Sequence, residues 1–183
     1  MDISSDLVTV RDLSESDIPF ILKYWFDSPD GFIEAMGVDR RKMPKKSEME
    51  VNLKKKILDN FGHPHSRLNS LVITFNEMPI GYHSVFPLVE GDYGIFHAHI
   101  WDPGYRKRGI ALQSYPKACR VFIKRFNLNR ILFKTPVQNT GAIRVKEKLG
   151  IRLIGEEVIS YGIIKEDTLA KVFELTSDEL SNL

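Results

Sequence analysis

Hydrophobic and polar positions alternate at the start of the chain and then change to a helical spacing. The stretch "LVTVRDL" over 7–13 alternates in the manner of a β-strand. In "SESDIPFILKYWFDS" the apolar residues recur at intervals of three and four from Ile18 onward, which predicts a helix capped by Ser14 or Ser16. "SPDGFIEAMG" predicts a second, short helical segment that ends at Gly37.

A third helix and three strands are predicted in the middle of the chain. "SEMEVNLKKKILDNFG" begins with Ser47 and nearby acids and has Gly62 after its end, as a helix should. The stretches "SLVITFN", "MPIGYHSVFPL" and "YGIFHAHIW" then predict three strands, joined by "NEMP" and "VEGDYG".

The next helix contains a proline. A helical stripe, spaced by three and four, is formed by Leu112, Tyr115, Cys119, Phe122 and Phe126. Pro116 interrupts this stripe, and a proline inside a helix costs about 3 kcal/mol. Either the helix kinks near Leu112 or it begins at Pro116; we favour the kink, because the stripe already starts at Leu112.

Two strands and one helix complete the pattern around a further short strand. "RILFKTP" predicts the short strand, and "NTGAIRVKEKLG" predicts a helix with Asn139 near its cap and Gly150 just after its end. "RLIGEEVISYGII" and "LAKVFELT" predict the last two strands. This order of elements predicts one α/β domain over residues 1–183, built around a mixed sheet.

Composition restricts the classes of protein to consider. The chain has 183 residues, of which 43% are hydrophobic and 27% charged, as is ordinary for a soluble globular domain. It contains no apolar run near the roughly 20 residues that cross a bilayer, and "MDISSDLVTV" does not resemble a secretory signal. The single cysteine, Cys119, forms no internal disulfide. We therefore expect a cytoplasmic protein with no membrane partner.

The charges are unevenly distributed. Residues 103–146 contain 11 Lys and Arg and no Asp or Glu, whereas the rest of the chain holds 15 cations and 24 anions. Some of these cations, such as Lys117, Lys124 and Arg125, are expected to lie on a solvated helix face. The complete absence of acids favours a polyanionic ligand on one side of the molecule.

A basic turn lies at the centre of this segment. "GYRKRGIA" places Arg106, Lys107 and Arg108 directly before Gly109, between a predicted strand and a predicted helix. Such a turn presents unpaired main-chain N–H groups at a helix N-terminus, and glycine allows close approach to the main chain. Residues 106–111 would then hold a pyrophosphate, although a basic loop that only caps a helix would have the same residues.

Two motifs together resemble a known family. Arg-x-x-Gly-x-Ala at 106–111 follows a strand and "DPGY", and Asn139-x-x-Ala142 with "EKLG" follows later in the chain. This pair resembles the GCN5-related N-acetyltransferase (GNAT) superfamily. "EKLGIRLIGEE" and "VTVRDLSESD" look most like the branch of the ribosomal-protein N-terminal alanine acetyltransferases.

The resemblance implies a fold, a reaction and a co-substrate. The fold would be α/β, a GNAT-like domain with a mixed, mostly antiparallel sheet of about seven strands flanked by helices. The reaction would move an acetyl group from acetyl-CoA to a primary amine, on a small molecule or a protein N-terminus, by direct attack in a ternary complex and without a metal. The residues implied for acetyl-CoA are Ile100, Trp101, Arg106, Lys107, Arg108, Gly109, Ile110, Ala111, Asn139 and Lys146.

The catalytic groups are harder to assign. A strand places His97 and His99 on one face, and imidazole titrates near neutrality, so both are candidates for the general base. The resemblance favours His97, which falls where an arylalkylamine-acetylating relative uses a histidine, and we therefore expect His97, and His99 second, in this role. The commonest base position of the family holds Ile95 here. Where many members carry a tyrosine acid this chain has Lys146, so the general acid stays unassigned. Both histidines could instead be core residues with satisfied hydrogen bonds, and for His99 this alternative is favoured.

The acceptor is expected between the first helices and the last hairpin. Aromatic residues concentrate there, and Trp25, Phe26 and Phe32 are the candidates for the pocket wall, although helical aromatics are more often core. Arg40 or Arg41, in the neighbouring loop, could meet an acidic acceptor.

Three other classes compete with this interpretation. The two His-x-His pairs, at 63/65 and 97/99, could bind a metal, but no further ligand lies at a compact spacing, so we expect none. The basic segment could bind nucleic acid, but its aromatics match a buried stripe and the net charge is only +2, so we expect no nucleic-acid partner. A non-catalytic acyl-CoA-binding protein of the same fold is the main alternative. We expect a monomer or homodimer.

Overall fold

The computed structural model describes residues 7–61, 63 and 65–183, and within them seven strands form one sheet. The strands are β1 (Val8–Asp12), β2 (Ser70–Phe75), β3 (Met78–Val89), β4 (Tyr93–Ile100), β5 (Arg130–Pro136), β6 (Arg152–Ile159) and β7 (Thr168–Thr176). They lie in the order β1-β2-β3-β4-β5-β7-β6, and each neighbouring pair is antiparallel except β4 and β5. The predicted mixed, mostly antiparallel sheet of about seven strands is confirmed.

Five α-helices in the described part of the chain flank this sheet. They are α1 (Ile18–Phe26), α2 (Asp30–Ala35), α3 (Lys46–Asn60), α4 (Ile110–Phe126) and α5 (Thr140–Lys148). A short 3-10 turn that follows Ser14 leads into α1, close to the predicted cap. Gly62, expected just after α3, lies outside the described residues. Among the helices that the structure describes, none is both long and apolar enough to cross a membrane.

Helix α4 begins at the basic turn and runs through its proline. Its first residue is Ile110, its N-cap is Gly109, and Pro116 lies inside it. The alternative that the helix begins at Pro116 is therefore wrong. Tyr115, just before the proline, and Cys119, Phe122 and Phe126 after it are buried in the core, whereas Leu112 is half-buried. Burial of each large side chain contributes about 2 kcal/mol. That contribution offsets the hydrogen bond that Pro116 cannot donate to Leu112.

The main core lies between α4 and one face of the sheet. Phe122 and Phe126 of the helix pack there with Phe96, Phe133 and Phe173 of the strands, all at most 5% exposed. A second core on the other face joins α1 and α2 to β2. These two cores fix the helices on opposite faces of the same strands, so the middle of the sheet is held from both sides.

The two parallel strands diverge, and this divergence positions the site. The pairing of β4 with β5 runs from Tyr93↔Arg130 to Ile95↔Leu132 and then stops, although both strands continue. Beyond this point β5 pairs only with β7, on its other side. The sheet therefore opens into a wedge between β4 and β5. From Phe96 onward, no described strand pairs with the edge of β4 that faces β5, while β3 stays paired with its other edge.

Candidate active site

A cavity of about 350 Å³ occupies the wedge between β4 and β5. One wall is β4 over 96–99. The opposite wall is β5 over 134–136 together with Asn139, the N-cap of α5, and Ala142 and Lys146 within that helix. The remaining wall combines α1, β3 and two loops, over 36–38 and 161–164. The predicted residues His97, His99, Asn139, Lys146 and Trp25 thus meet around one space.

The basic turn at the start of α4 leaves a row of amides without partners. The amides of Tyr105 and Arg106 donate to Asp102 and Pro103, each at 3.1 Å. Among the residues that the structure describes, no acceptor lies in hydrogen-bond range of the amides over 107–112. At a helix N-terminus these amides point away from the helix and attract anions.

The glycine of the turn is required by its backbone conformation. Gly109 has φ of 80°, in the left-handed region that side chains rarely adopt, and Lys107 has φ of 60°. A Cβ built on Gly109 would meet nothing within 4 Å, so the space in front of the turn is open. Gly109 is exposed, as are Lys107 and Arg108.

The three cations of the turn differ in what they contact. The Arg106 guanidinium donates to the carbonyl of Ile100, at 3.1 and 3.0 Å, and lies 3.9 Å from the centre of the Phe32 ring. Its side chain therefore joins the end of β4 to α2, and only its main chain lies in the turn. Lys107 and Arg108 form no ion pair within the described part of the chain.

Other cations of the basic segment pair with acids from the rest of the chain. Three such pairs are Arg125–Asp12 at 2.8 Å, Arg130–Glu174 at 3.4 Å and Lys134–Glu157 at 2.5 Å. The segment's excess charge is thus partly neutralised within the fold. At the turn, Lys107 and Arg108 keep their charge available for a ligand, because no described acid pairs with them.

His97 is half-buried on the cavity wall. Its Nε2 donates to the carbonyl of Phe86 at 2.6 Å. Burial lowers the pKa of His97, the Phe86 carbonyl opposes this, and the nearby Lys146 charge lowers it further. The ring is therefore neutral at pH 7, with Nδ1 available as an acceptor.

His99 belongs to an aromatic cluster. Its Nδ1 lies 3.1 Å from the hydroxyl of Tyr24, and its ring centre is 4.9 Å from that of Trp25 and 4.8 Å from that of Tyr82. Burial lowers the pKa of His99 to about 3, with smaller contributions from two neighbouring histidines. An imidazole with this pKa binds a proton weakly, so His97 is the better base of the two.

Lys146 is a buried cation beside aromatic rings. It is 4% exposed, and its Nζ lies 5.5 Å from the centre of the Tyr115 ring and 5.8 Å from that of Phe133. No ion pair to Lys146 exists among the described residues. Burial lowers its pKa to about 7. Asn139 lies two turns earlier and caps α5 by accepting from the Ala142 amide at 3.2 Å.

Comparison with known proteins agrees with this arrangement. A family model described as an acetyltransferase (GNAT) domain matches residues 8–152. The chain belongs to the GNAT acetyltransferase family. That membership makes it an acetyl-CoA-dependent N-acetyltransferase and confirms the family resemblance seen in the sequence.

Solved structures of GNAT acetyltransferases share the fold at low identity. Spermidine N-acetyltransferase from Vibrio cholerae, in complex with CoA and spermine, is 19% identical with a TM-score of 0.75, over 96% of this chain and 99% of that one. RimL, a ribosomal L7/L12 alpha-N-protein acetyltransferase in complex with coenzyme A, is 15% identical with a TM-score of 0.73, over 94% and 96%. A GNAT-family acetyltransferase from Bacillus anthracis is 16% identical with a TM-score of 0.71, over 98% and 100%.

Of the aromatic residues predicted for the acceptor pocket of this GNAT acetyltransferase, one lines the cavity and two do not. Trp25 lines the cavity, whereas Phe26 and Phe32 pack in the second core beside it. Trp101, predicted near the cofactor, stacks on Phe20 with ring centres 5.5 Å apart, and Ile110 is buried in a small third core.

The two arginines predicted to contact an acidic acceptor each form an ion pair within the protein. Arg40 pairs with Asp30 at 2.6 Å and donates to the carbonyl of Trp25 at 3.1 Å. Arg41 pairs with Asp39 at 2.8 Å. Both side chains therefore stabilise the loop between α2 and α3.

Sequence reasoning missed the contribution of β3. Tyr82, Ser84 and Phe86 line the cavity and share a face through the two-residue period of a strand. In the register of β3 with β4, Tyr82 lies opposite His99 and Ser84 opposite His97. That alternation was readable in "GYHSVF" once the two strands were paired, whereas nothing in the sequence placed the loop over 161–164.

No site for a metal is formed by the described residues. Among them, no group of three or more His, Cys, Asp or Glu side chains could hold an ion. His97 and His99 instead make the hydrogen bonds described above.

Proposed function

We propose that this chain binds acetyl-CoA with its pyrophosphate at the turn before α4 and its thioester in the wedge, and that it acetylates a primary amine directly. The observation that carries the proposal is the row of unpaired amides over 107–112, with open space beside Gly109. Lys107 and Arg108 add positive charge there, and Gly109, Ile110 and Ala111 supply main-chain donors.

The open edge of β4 supplies further main-chain donors. The amide of Trp101 donates to the carbonyl of Ile80 in β3 at 2.8 Å, so these two residues form a hydrogen-bonded pair of the β3–β4 ladder. Such pairs alternate along an antiparallel ladder, and the amides of Ala98 and Ile100 therefore point to the opposite edge, into the wedge. An amide there can donate to the carbonyl oxygen of a thioester as it becomes an oxyanion.

His97 is proposed as the general base. The amine nitrogen attacks the thioester carbonyl carbon, the amine's proton passes to Nδ1 of His97, and the bond from carbon to sulfur breaks to release the CoA thiolate. His97 suits this role because it lines the cavity, is neutral at pH 7 and has Nδ1 free of the contact with Phe86. His99 is the second candidate and is the weaker base.

The α5 wall is proposed to contact the pantetheine arm. Asn139 and Lys146 both line the cavity from this helix. With a pKa of about 7, Lys146 holds a proton part of the time at neutral pH and can stabilise a thiolate or protonate it. A thiol with a pKa of about 8.5 is a good leaving group even without this help.

The acceptor is not identified by the relatives. Those solved with the same fold include an enzyme named for spermidine and one named for the N-terminus of ribosomal L7/L12, two unlike amines. Their identities to this chain, 19% and 15%, support a shared fold and leave the acceptor open.

Calorimetry with acetyl-CoA and an assay of thiol release test the proposal together. We expect acetyl-CoA to bind and one equivalent of thiol to be released for each amine acetylated, over a panel of small amines and an alanyl peptide. Binding without amine-dependent release would instead favour a non-catalytic acyl-CoA-binding protein. Absence of binding would refute both functions.

A further inference from the structure

The acceptor end of the cavity is walled by aromatic rings that hold one another in place. The Trp25 indole N–H donates to the hydroxyl of Tyr82 at 2.9 Å, and both rings contact His99. Tyr24 lies behind them and donates to the sulfur of Met36 at 3.2 Å. The polar atoms of these rings are thus largely occupied by one another, and what they present to a ligand is mainly apolar surface.

No carboxylate of the described residues lines this space. Among the described residues that line the cavity there is no Asp or Glu, and its two cations are Lys134 and Lys146. The Lys134 charge is offset by Glu157 at 2.5 Å, whereas no described acid pairs with Lys146. A ligand that carried a second ammonium group into the cavity would find no counter-ion and would be repelled by Lys146 when that residue is protonated.

The aromatic rings do not replace a carboxylate. An aromatic face attracts a cation by about 0.5–2 kcal/mol. Removing an ammonium ion from water costs several kcal/mol when no partner charge compensates for it. The cost of desolvation therefore exceeds the attraction of the rings, and binding of a second ammonium group is unfavourable. The attacking amine does not carry this cost, because it is neutral when it reacts.

Two loops join across the cavity and limit its size. Val38 forms a β-bridge with Ile164, and the Asp39 amide donates to Ile163 at 2.8 Å. The Lys165 amide donates to Gly37 at 2.8 Å. Both loops line the cavity, whose volume of about 350 Å³ is at the lower end of the range for ligand pockets. In the proposed function the thioester of acetyl-CoA takes part of this volume, which leaves less room for the acceptor. A small molecule fits this space better than an extended polypeptide.

From these observations, and resting on the proposed function, we infer that the acceptor is a small primary amine whose body is apolar or aromatic and carries no second positive charge. Diamines, polyamines and polypeptide N-termini are then poor acceptors. Selectivity comes from Trp25, Tyr82 and the joined loops, together with the missing carboxylate.

Two amines of equal chain length test whether a second positive charge makes an acceptor poor. n-Hexylamine and hexamethylenediamine differ mainly by one terminal ammonium group. We expect kcat/KM for n-hexylamine to exceed that for the diamine by at least about 30-fold, because the second charge is buried without a partner. Phenethylamine should be accepted as well as n-hexylamine, and an alanyl peptide at least about 30-fold less well. A diamine or peptide that is used as well as the monoamines overturns the inference.

A single substitution supplies the missing charge. Met36 is half-buried and lines the cavity, so Met36→Glu places a carboxylate at its wall. We expect Met36→Glu to improve the ratio of diamine to monoamine kcat/KM by at least about tenfold. Met36→Gln has the same size without the charge and should keep the wild-type ratio. Equal ratios in the two folded variants contradict the inference.

Binding measurements separate this inference from the proposed function. Calorimetry of each amine with the CoA-loaded protein measures its affinity without turnover, and so compares n-hexylamine with hexamethylenediamine directly. If acetyl-CoA binds and no amine is acetylated, the catalytic proposal fails, and tighter binding of n-hexylamine than of hexamethylenediamine still supports the acceptor class. If turnover occurs but the diamine binds as well as n-hexylamine, the catalytic proposal stands and the acceptor class is wrong.

Discussion

The carbonyl oxygen of Phe86 accepts a hydrogen bond from Nε2 of His97 at 2.6 Å. Because a carbonyl cannot donate, the proton lies on Nε2, and Nδ1 is the nitrogen of the neutral ring that can accept one. Phe86 lies where the pairing of β3 with β4 shifts, between Val85 and Leu88. An irregularity in one strand therefore fixes the tautomer of a residue on the next.

Replacement of His97 should change the dependence of the rate on pH. Gln at this position can still donate to the Phe86 carbonyl but cannot accept a proton. We expect His97→Gln to lower kcat/KM by about 100-fold at neutral pH and by less at alkaline pH, where more of the amine is already deprotonated. His99→Gln should lose less than about tenfold at neutral pH. A His97→Gln profile parallel to that of the wild type would remove His97 from the role of base.

Lys146 should make the stability of the protein depend on pH. Burial lowers its pKa from 10.5 to about 7, so between these pH values the unfolded chain holds a proton that the folded chain has lost. The free energy of unfolding therefore rises with pH through this window and is reduced below it. Lys146→Met removes the ionisable group and should be more stable than the wild type near pH 6, by up to roughly 5 kcal/mol.

Denaturant unfolding of both proteins from about pH 6 to pH 10 checks this prediction. The difference in unfolding free energy between Lys146→Met and the wild type should shrink as pH rises. Lys148, which is exposed on the same helix, supplies the control, and Lys148→Met should follow the wild-type curve. A difference that stays constant with pH would show that Lys146 keeps its ordinary pKa in the folded protein.

Two neighbouring arginines should have separable effects. Arg106 bonds to the Ile100 carbonyl and lies on Phe32, so Arg106→Gln should lower the free energy of unfolding by about 1–3 kcal/mol. Arg108 is exposed at the turn, and Arg108→Gln should change stability by less than about 0.5 kcal/mol while weakening acetyl-CoA binding about fivefold. Thermal unfolding and calorimetry of both variants provide the test. If Arg106→Gln instead weakened acetyl-CoA binding and Arg108→Gln lowered stability, Arg106 would be the residue that contacts the ligand.

The sequence predicted the fold well because its local signals agree with its tertiary structure. The alternating apolar positions of β2 to β4 and the helical stripe of α4 each have one clear period. The cap of α5 at Asn139 lies where the residue type suggested, whereas Ser14 caps only the 3-10 turn before α1, whose own N-cap is Asp17. Gly109 was predicted at the turn because it lies between a predicted strand and a predicted helix, and the structure adds that its backbone is left-handed.

Parts of the site could not be predicted because they depend on how distant elements meet. The side chain of Arg106 is directed by Phe32, which a different helix supplies. Lys146 has a polar side chain on a helix, a pattern that indicates exposure, and only the wedge between β4 and β5 explains why it is 4% exposed. The bridge from Val38 to Ile164 joins two loops that no sequence period connects.

The claim on which the proposed function depends is that the turn at Gly109 binds the pyrophosphate of acetyl-CoA. Calorimetry of acetyl-CoA with Gly109→Asp and Gly109→Asn tests it most directly, because the two side chains have the same shape and asparagine and aspartate both tolerate a positive φ. We predict that Gly109→Asp binds at least about tenfold more weakly than Gly109→Asn, since only the carboxylate repels the pyrophosphate. Equal affinities in the two folded variants would contradict the account.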